Sequence, residues 1–185
     1  MAGRLWWMAA ALVAVLVAAA SIGLAGSGGG GGGAGDVTII LVRHAEKVDE
    51  SEDPDLSPAG RRRAASLAEA LRDSGVSAVY TTTYKRTRQT GAAVADRLKL
   101  APEQRHELAR TLSPAQAVER IRSEGAGRAV LVVAHSNTIP PLLRALGWDE
   151  PPMPDTEFGR VYVATLRADG TKQLIRAGYP PEAKP

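Results

Sequence analysis

Two short apolar runs, each closely followed by a histidine, constrain the fold of this 185-residue chain more than any other feature. Residues 37–42 read VTIILV and are followed by Arg43-His44, and residues 129–134 read AVLVVA and are followed by His135. Continuous runs rich in β-branched residues are typical of strands buried on both faces of a parallel sheet. Because ligands bind beyond the carboxyl ends of such strands, we expect both histidines at one crevice.

The rest of the chain alternates strand-like and helix-like segments. Ser57-Pro58 and Ser113-Pro114 predict helix starts, because Ser is a favoured N-cap and Pro is favoured in the first turn. The alternation predicts an α/β fold, a three-layer sandwich with a mostly parallel central sheet flanked by helices. The remaining predicted elements are a strand over 78–81, helices over 85–98 and 138–146, and later, more edge-like strands over 161–166 and 173–176.

The N-terminal residues differ in composition from the remainder of the chain. Residues 1–25 place a single charged side chain, Arg4, ahead of an apolar run, which is typical of a signal peptide. The run approaches the length that spans a bilayer, so a retained membrane anchor is the alternative. Both predict an exported protein, periplasmic or extracellular. Residues 26–35 are predicted to be a Gly-rich linker, 36–180 the folded domain and 181–185 a tail.

Composition excludes several classes of protein. The chain has no cysteine, which excludes a disulfide framework, a Cys-based zinc site and a thiol nucleophile. Its net charge of +3, from 23 basic and 20 acidic residues, is too small to indicate a nucleic-acid partner. No HExxH or other metal-ligand spacing is present, so we expect neither a metal nor another cofactor. The sequence leaves the oligomeric state open.

Cationic and hydroxyl side chains are predicted to join the two histidines at the crevice. Residues 81–90 read TTTYKRTRQT; they follow the second strand and run into a helix start. Backbone N–H groups at a helix start favour an anion, and arginine binds phosphate oxygens well. Together with Arg43, these residues predict a phosphate-binding site.

Four segments resemble the motifs of the histidine phosphatase (phosphoglycerate mutase-like) superfamily, in the order in which that family carries them. Residues 41–46, LVRHAE, resemble its RHG signature, with Ala45 in place of the usual Gly. Residues 56–60, LSPAG, resemble its L-[ST]-x-x-G helix start. Residues 82–90 resemble its S-x-x-x-R-[TA]-x-x-T segment, and residues 132–137, VVAHSN, resemble the segment that carries its second histidine.

The resemblance implies a phosphoglycerate mutase-like fold and assigns roles to individual residues. His44 would be the nucleophile that forms a phosphohistidine, and Arg43, Arg86 and His135 would bind the phosphate oxygens, with no metal. Glu107 is the candidate acid that protonates the leaving group, and Glu46 or a carboxylate of the acidic loop over residues 47–55 is the alternative. The expected lesser substrate contacts are Asn137, Thr87 and Thr90.

The spacing of the motifs favours a compact phosphatase over a mutase. Arg86 and His135 are only 49 positions apart, which leaves little chain for a lid that would keep water from a phosphoenzyme. We therefore expect hydrolysis of a phosphorylated small molecule or a phosphoprotein, phosphohistidine included. The alternatives are a non-catalytic phosphate- or glycan-phosphate-binding envelope protein, or a phosphoglycerate mutase-type phosphotransferase. Specificity is expected to lie in the acidic loop and in the Pro-rich segment over residues 150–155.

Overall fold

The computed structural model describes residues 35–181, which form one six-stranded sheet flanked by four helices. The strands are β1 (Val37–Arg43), β2 (Val76–Thr82), β3 (Arg105–Leu108), β4 (Arg128–Ala134), β5 (Arg160–Leu166) and β6 (Lys172–Gly178). The helices are α1 (Pro58–Ala70), α2 (Lys85–Arg97), α3 (Pro114–Glu124) and α4 (Ile139–Ala145), with a short 3-10 turn over Pro102–Gln104.

The order of the strands across the sheet is β3-β2-β4-β1-β5-β6. The first four of these are mutually parallel, whereas β5 runs antiparallel to β1 and β6 antiparallel to β5. The expected α/β architecture with a mostly parallel sheet is therefore confirmed. Because the four parallel strands end at one edge of the sheet, the residues that follow β1, β2, β3 and β4 meet there.

Hydrophobic side chains of alternate strand residues fill two cores, one on each face of the sheet. Ile39 and Leu41 of β1 belong to the core that also holds Ile121 of α3. Ile40 and Val42, one position along, belong to the core on the opposite face. The period-2 alternation of a strand explains how one apolar run serves both layers. The result is the predicted three-layer sandwich.

The third strand was absent from the sequence prediction. Its four residues read RHEL, and only Leu108 is buried, so the segment has no apolar run that would mark it as a strand. It forms one edge of the sheet, where the parallel ladder with β2 holds it. The two later strands also differ in position, because β5 is paired on both sides and only β6 lies at the edge.

Among residues 35–181, no helix has both the length and the apolar character needed to cross a membrane. The predicted leader, nearly all of the predicted linker and residues 182–185 lie outside the described residues. The domain boundaries and the export signal therefore stay predictions.

A close backbone approach explains the glycine of the LSPAG segment. The N-cap Ser57 accepts a hydrogen bond from the amide of Gly60, and its own amide donates to the carbonyl of Glu46 at 2.9 Å. A Cβ at Gly60 would lie only 2.0 Å from that same carbonyl oxygen. Glycine thus lets the start of α1 pack directly against the chain just beyond His44.

We expect Gly60→Ala to destabilise the protein by about 2 kcal/mol or more, because the new methyl group forces α1 away from Glu46. Urea unfolding of the two proteins measures the change. Ala65→Ser, at an exposed position of the same helix, is the control and should change stability by less than about 0.5 kcal/mol. Equal stability of the Gly60 variant and the wild type would contradict the close approach.

Candidate active site

A cleft of about 990 Å³ lies at the carboxyl edge of the parallel strands. His44 and His135, the residues that follow β1 and β4, both line it, and their ring centroids are 5.2 Å apart. Arg43 and Arg86 line the same cleft. The structure thus brings together the two histidines and two arginines that the sequence predicted at one crevice.

His44 is held as a neutral imidazole with its proton on a defined nitrogen. Its Nδ1 lies 2.7 Å from the carbonyl oxygen of Ala45, and a carbonyl only accepts, so Nδ1 carries the proton. Burial, assisted by His135 and the nearby arginines, lowers the pKa of His44 to about 3. At neutral pH the other ring nitrogen, Nε2, therefore keeps a free electron pair, as a nucleophile requires.

The backbone around His44 is fixed from behind by Thr90. The amide of Ala45 donates to Thr90 Oγ1 at 3.0 Å, and that hydroxyl donates to the carbonyl of Arg86 at 2.7 Å. One side chain thus ties the nucleophile segment to α2. The methyl group of Ala45, which replaces the usual Gly of the motif, packs against Leu56 and Ala64, so the departure is accommodated.

Arg43 is a buried cation braced by the loop before β5. Its Nη1 donates to the carbonyls of Pro154, at 3.0 Å, and Glu157, at 3.3 Å, and its Nη2 pairs with Asp155 at 3.4 Å. Its guanidinium lies 4.3 Å from the ring centre of Phe158. Burial lowers the pKa of Arg43 from its usual value, which leaves it a cation at neutral pH.

The ring of Tyr84 contacts the side chains of two arginines at the other side of the cleft. The guanidinium of Arg86 lies 4.2 Å from the centre of its ring, and that of Arg110 lies 5.0 Å away. Arg86 also donates to the carbonyl of Glu52 in the acidic loop at 3.2 Å. Cation–π contact with one ring orients both side chains, so the cleft holds three arginines rather than the two predicted.

A chain of hydroxyl groups orients His135. Its Nε2 lies 2.9 Å from Thr82 Oγ1, which lies 2.9 Å from Thr87 Oγ1, and Thr87 is also 2.8 Å from the carbonyl of Tyr84. Because a hydroxyl both donates and accepts, this chain serves His135 in its neutral and its protonated form. Burial, followed by the charges of Arg86, Arg43 and Arg110, lowers the pKa of His135 to about 4.

Of the three expected lesser substrate contacts, only Asn137 lines the cleft. Thr87 and Thr90 are completely buried and hydrogen-bond to the chain behind the cleft wall. Their assignment as substrate contacts was wrong. Both lie one helical turn apart on the inward face of α2, where they hold His135 and His44 in place instead.

Glu107 does not lie in the cleft, so its assignment as the acid was wrong. It belongs to β3, ahead of the end of that strand, and its half-exposed side chain lies 3.9 Å from Arg88. Both residues line a separate depression of about 270 Å³. The carboxylates that do line the cleft are Glu46, Glu50 and Asp155.

We expect Glu107→Gln to leave kcat/KM for a phosphomonoester within about twofold of the wild type, because its carboxylate touches only a solvated arginine. Steady-state kinetics of the purified variant measures this. A hundredfold fall in kcat/KM would show that Glu107 takes part in the reaction and would contradict its position outside the cleft.

The two cleft histidines also predict a pH dependence of stability. Their folded pKa values, about 3 for His44 and about 4 for His135, lie below the ordinary 6.5. Below pH 6.5 the unfolded chain takes up protons that the folded protein does not, so the free energy of unfolding falls as the pH decreases towards 4. Each histidine contributes about 1.4 kcal/mol per pH unit in that window and nothing above it.

Urea unfolding between pH 7.5 and 5 tests this dependence. His44→Asn should remove one histidine's share of the slope, whereas an unchanged slope would contradict the neutral, buried state of His44.

Several cleft residues were missed by the sequence reasoning. Thr82 and Tyr84 lie inside the 82–90 segment already singled out, so their positions in that motif were the available signal. Arg110 follows β3, the unpredicted strand, so no sequence pattern indicated that it lies at the cleft. Lys47, Glu50 and Asp155 confirm that the acidic loop and the Pro-rich segment both reach the cleft. Among residues 35–181, no group of three or more potential ligands is placed to hold a metal ion.

Comparisons with known proteins agree with this fold. Residues 39–110 match the sequence model of the histidine phosphatase superfamily (branch 1). No curated protein sequence matches the chain. The protein histidine phosphatase SixA, solved in complex with tungstate, is similar in structure with a TM-score of 0.61 and 20% identity, covering 76% of this chain and 96% of SixA.

Two further solved structures share the architecture. A phosphoserine phosphatase from Entamoeba histolytica, in complex with 3-phosphoglyceric acid, has a TM-score of 0.58 and 16% identity over 77% of this chain and 96% of its own. A phosphoglycerate mutase from Bacillus anthracis has a TM-score of 0.59 and 16% identity over 78% of this chain and 94% of its own. At these identities the likeness establishes the fold. The predicted phosphoglycerate mutase-like fold is therefore confirmed, and the predicted resemblance agrees with the match of residues 39–110 to the model of the histidine phosphatase superfamily (branch 1).

Proposed function

We propose that the protein is a phosphatase that hydrolyses phosphomonoesters or phosphohistidine through a phosphohistidine intermediate on His44, without a metal ion. One observation carries the proposal. His44 is a neutral imidazole whose proton is fixed on Nδ1, and it faces a cleft that also holds arginines and a second histidine. That arrangement supplies a nucleophile and the charges that a transferring phosphoryl group requires.

The reaction proceeds in two displacements. His44 Nε2 attacks phosphorus, and the bond to the leaving atom breaks, which is an oxygen in a phosphomonoester and a ring nitrogen in phosphohistidine. The departing atom takes a proton. Arg43 and Arg86 hold the non-bridging oxygens, on which charge accumulates in the transition state. His135 hydrogen-bonds to the same oxygens, its position kept by Thr82. Water then attacks phosphorus and gives a proton to the carboxylate that protonated the leaving group. The bond between phosphorus and Nε2 breaks, phosphate is released and His44 is neutral again.

The proton for the leaving group comes from the cleft itself. Three carboxylates line it, and they differ in surroundings: Glu46 is paired with Arg63 at 2.7 Å, Glu50 with Lys47, and Asp155 with Arg43. Asp155 is largely exposed and also accepts a hydrogen bond from Ser136 at 2.8 Å. Both contacts favour the charged carboxylate of Asp155, so the candidate proton donors are Glu46, whose Oε2 is buried with no hydrogen-bond partner, and Glu50 of the acidic loop.

The substrate and the location of the protein belong to the same proposal. The solved relatives are described as a protein histidine phosphatase and a phosphoserine phosphatase, which supports a phosphorylated small molecule or a phosphoprotein as substrate. The single Arg4 ahead of an apolar run supports export, with the leader either cleaved or retained as an anchor.

Hydrolysis of phenyl phosphate by the purified protein, with and without EDTA, tests the proposal. We expect turnover that chelation does not change. Tight binding of phosphate without turnover would instead support the binding-protein alternative. Loss of turnover with EDTA would contradict the metal-free reaction.

A further inference from the structure

One side of the cleft is apolar and has no part in the phosphate chemistry described above. It is formed where β3 ends, along the connection to α3 and on α4, and Arg110, which turns to Tyr84, is the one charged residue that lines the cleft from these segments. We call these residues the apolar wall: Leu108, Ala109, Leu112, Pro114, Pro141 and Leu142. None of them carries a polar side chain, whereas the residues around His44 are almost all charged or hydroxyl-bearing.

The apolar wall is built on the hydrophobic core and is therefore preformed. Leu108 and Leu142 are buried members of the core on that face of the sheet, and Leu112 packs against the same core while remaining partly exposed. Side chains fixed in this way keep their positions when the cleft is empty, so a ligand that contacts them does not have to order them.

The size of the cleft indicates what kind of ligand contacts the apolar wall. Its volume of about 990 Å³ is that of a site for a whole small molecule, and a phosphate group alone fills a small part of it. With the phosphate at His44, the rest of the substrate extends through the remaining space. A polar body would leave its hydrogen-bonding groups unpaired against the wall, at a cost in binding, whereas an apolar body would gain from leaving water.

We propose that the substrate is a small-molecule phosphomonoester with a sizeable apolar body, alkyl or aryl, and that the apolar wall binds this body. The inference rests on the proposed function for the position of the phosphate at His44. The wall sets specificity, and the charged end of the cleft supplies the chemistry.

Binding of n-alkylphosphonates, from methyl to hexyl, tests this separately from catalysis. These compounds keep the charged head group and are not hydrolysed, so calorimetry reports binding alone. We expect each added methylene to tighten Kd by about two- to fourfold, the range for partial to full burial of a CH₂ group. Equal Kd values along the series would overturn the inference.

Two variants locate the effect on the wall. The ratio of the Kd of methylphosphonate to the Kd of hexylphosphonate measures how much the alkyl chain adds to binding. Leu112→Ser should lower this ratio by about fivefold or more, because it replaces apolar contact area with a hydroxyl. Ala109→Asn, at an exposed position, should lower the ratio in the same direction without a cost in folding. Methylphosphonate alone should bind both variants as it binds the wild type. The matched control is Leu174→Ser, a partly buried leucine of β6 that packs on the same core outside the cleft.

The outcomes separate this inference from the proposed function. A chain-length dependence without any turnover of phenyl phosphate would support the apolar wall and reject the phosphatase. Turnover of phenyl phosphate together with equal phosphonate affinities, or an unchanged ratio in Leu112→Ser and Ala109→Asn, would support the phosphatase and reject the apolar wall.

Discussion

His44→Asn should lower kcat/KM for phenyl phosphate by about a thousandfold or more, because the variant has no imidazole to form the covalent intermediate. Asparagine is close in size and still reaches the Ala45 carbonyl with an N–H donor, so the fold behind the cleft should be kept. Circular dichroism and urea unfolding at pH 7.5, where His44 carries no charge in either state, confirm that the variant is folded.

His106→Asn is the matched control for that substitution. His106 is the remaining histidine of the chain, stacked on Tyr80 with ring centroids 4.6 Å apart, and it does not line the cleft. Its replacement should leave kcat/KM within about twofold of the wild type, since nothing that contacts the phosphate moves. Equal losses in the two variants would show that His44 acts only through stability.

Arg86→Ala should lower kcat/KM by about 100- to 1,000-fold, the range for the loss of one preorganised donor to a transition-state oxygen. Arg86 is oriented by Tyr84 at the mouth of the phosphate site and stands among the charges that lower the pKa of both histidines. The loss should appear mainly in kcat, because charge on the phosphoryl oxygens changes most in the transition state.

Arg88→Ala tests whether this loss is specific. Arg88 lies two positions along the same helix, with its half-exposed side chain beside Glu107 and outside the cleft. Its replacement should change kcat/KM by less than twofold at moderate ionic strength, where its distant charge is screened. A comparable loss in both variants would mean that general electrostatic attraction, rather than contact with the phosphoryl group, explains the effect of Arg86.

The sheet and the centre of the site could be predicted from the sequence because both depend on local patterns. The runs at 37–42 and 129–134 are long enough to identify buried strands, and strand ends of a parallel sheet meet at one edge. Once those two strands are adjacent, as β1 and β4 are, Arg43, His44 and His135 necessarily lie together. Ser57 and Ser113 likewise identified their helix starts through side-chain capping.

The errors arose where tertiary packing, rather than local pattern, decides the position of a side chain. Glu107 was assigned through the family resemblance, but the unpredicted strand β3 places it beside Arg88 of α2, outside the cleft. Thr87 and Thr90 were assigned by their motif, yet the helical period turns both hydroxyls inward, behind the cleft. Arg110 belongs to a loop whose course depends on that same strand.

Covalent labelling of His44 tests the central claim most directly. The protein is mixed with ³²P-labelled phenyl phosphate and quenched after milliseconds in alkaline denaturant, in which the phosphorus–nitrogen bond of phosphohistidine survives. The claim predicts label on the peptide that contains His44, formed and lost at rates consistent with turnover, and absent from His44→Asn. Turnover without labelled protein, or label retained in His44→Asn, would contradict it.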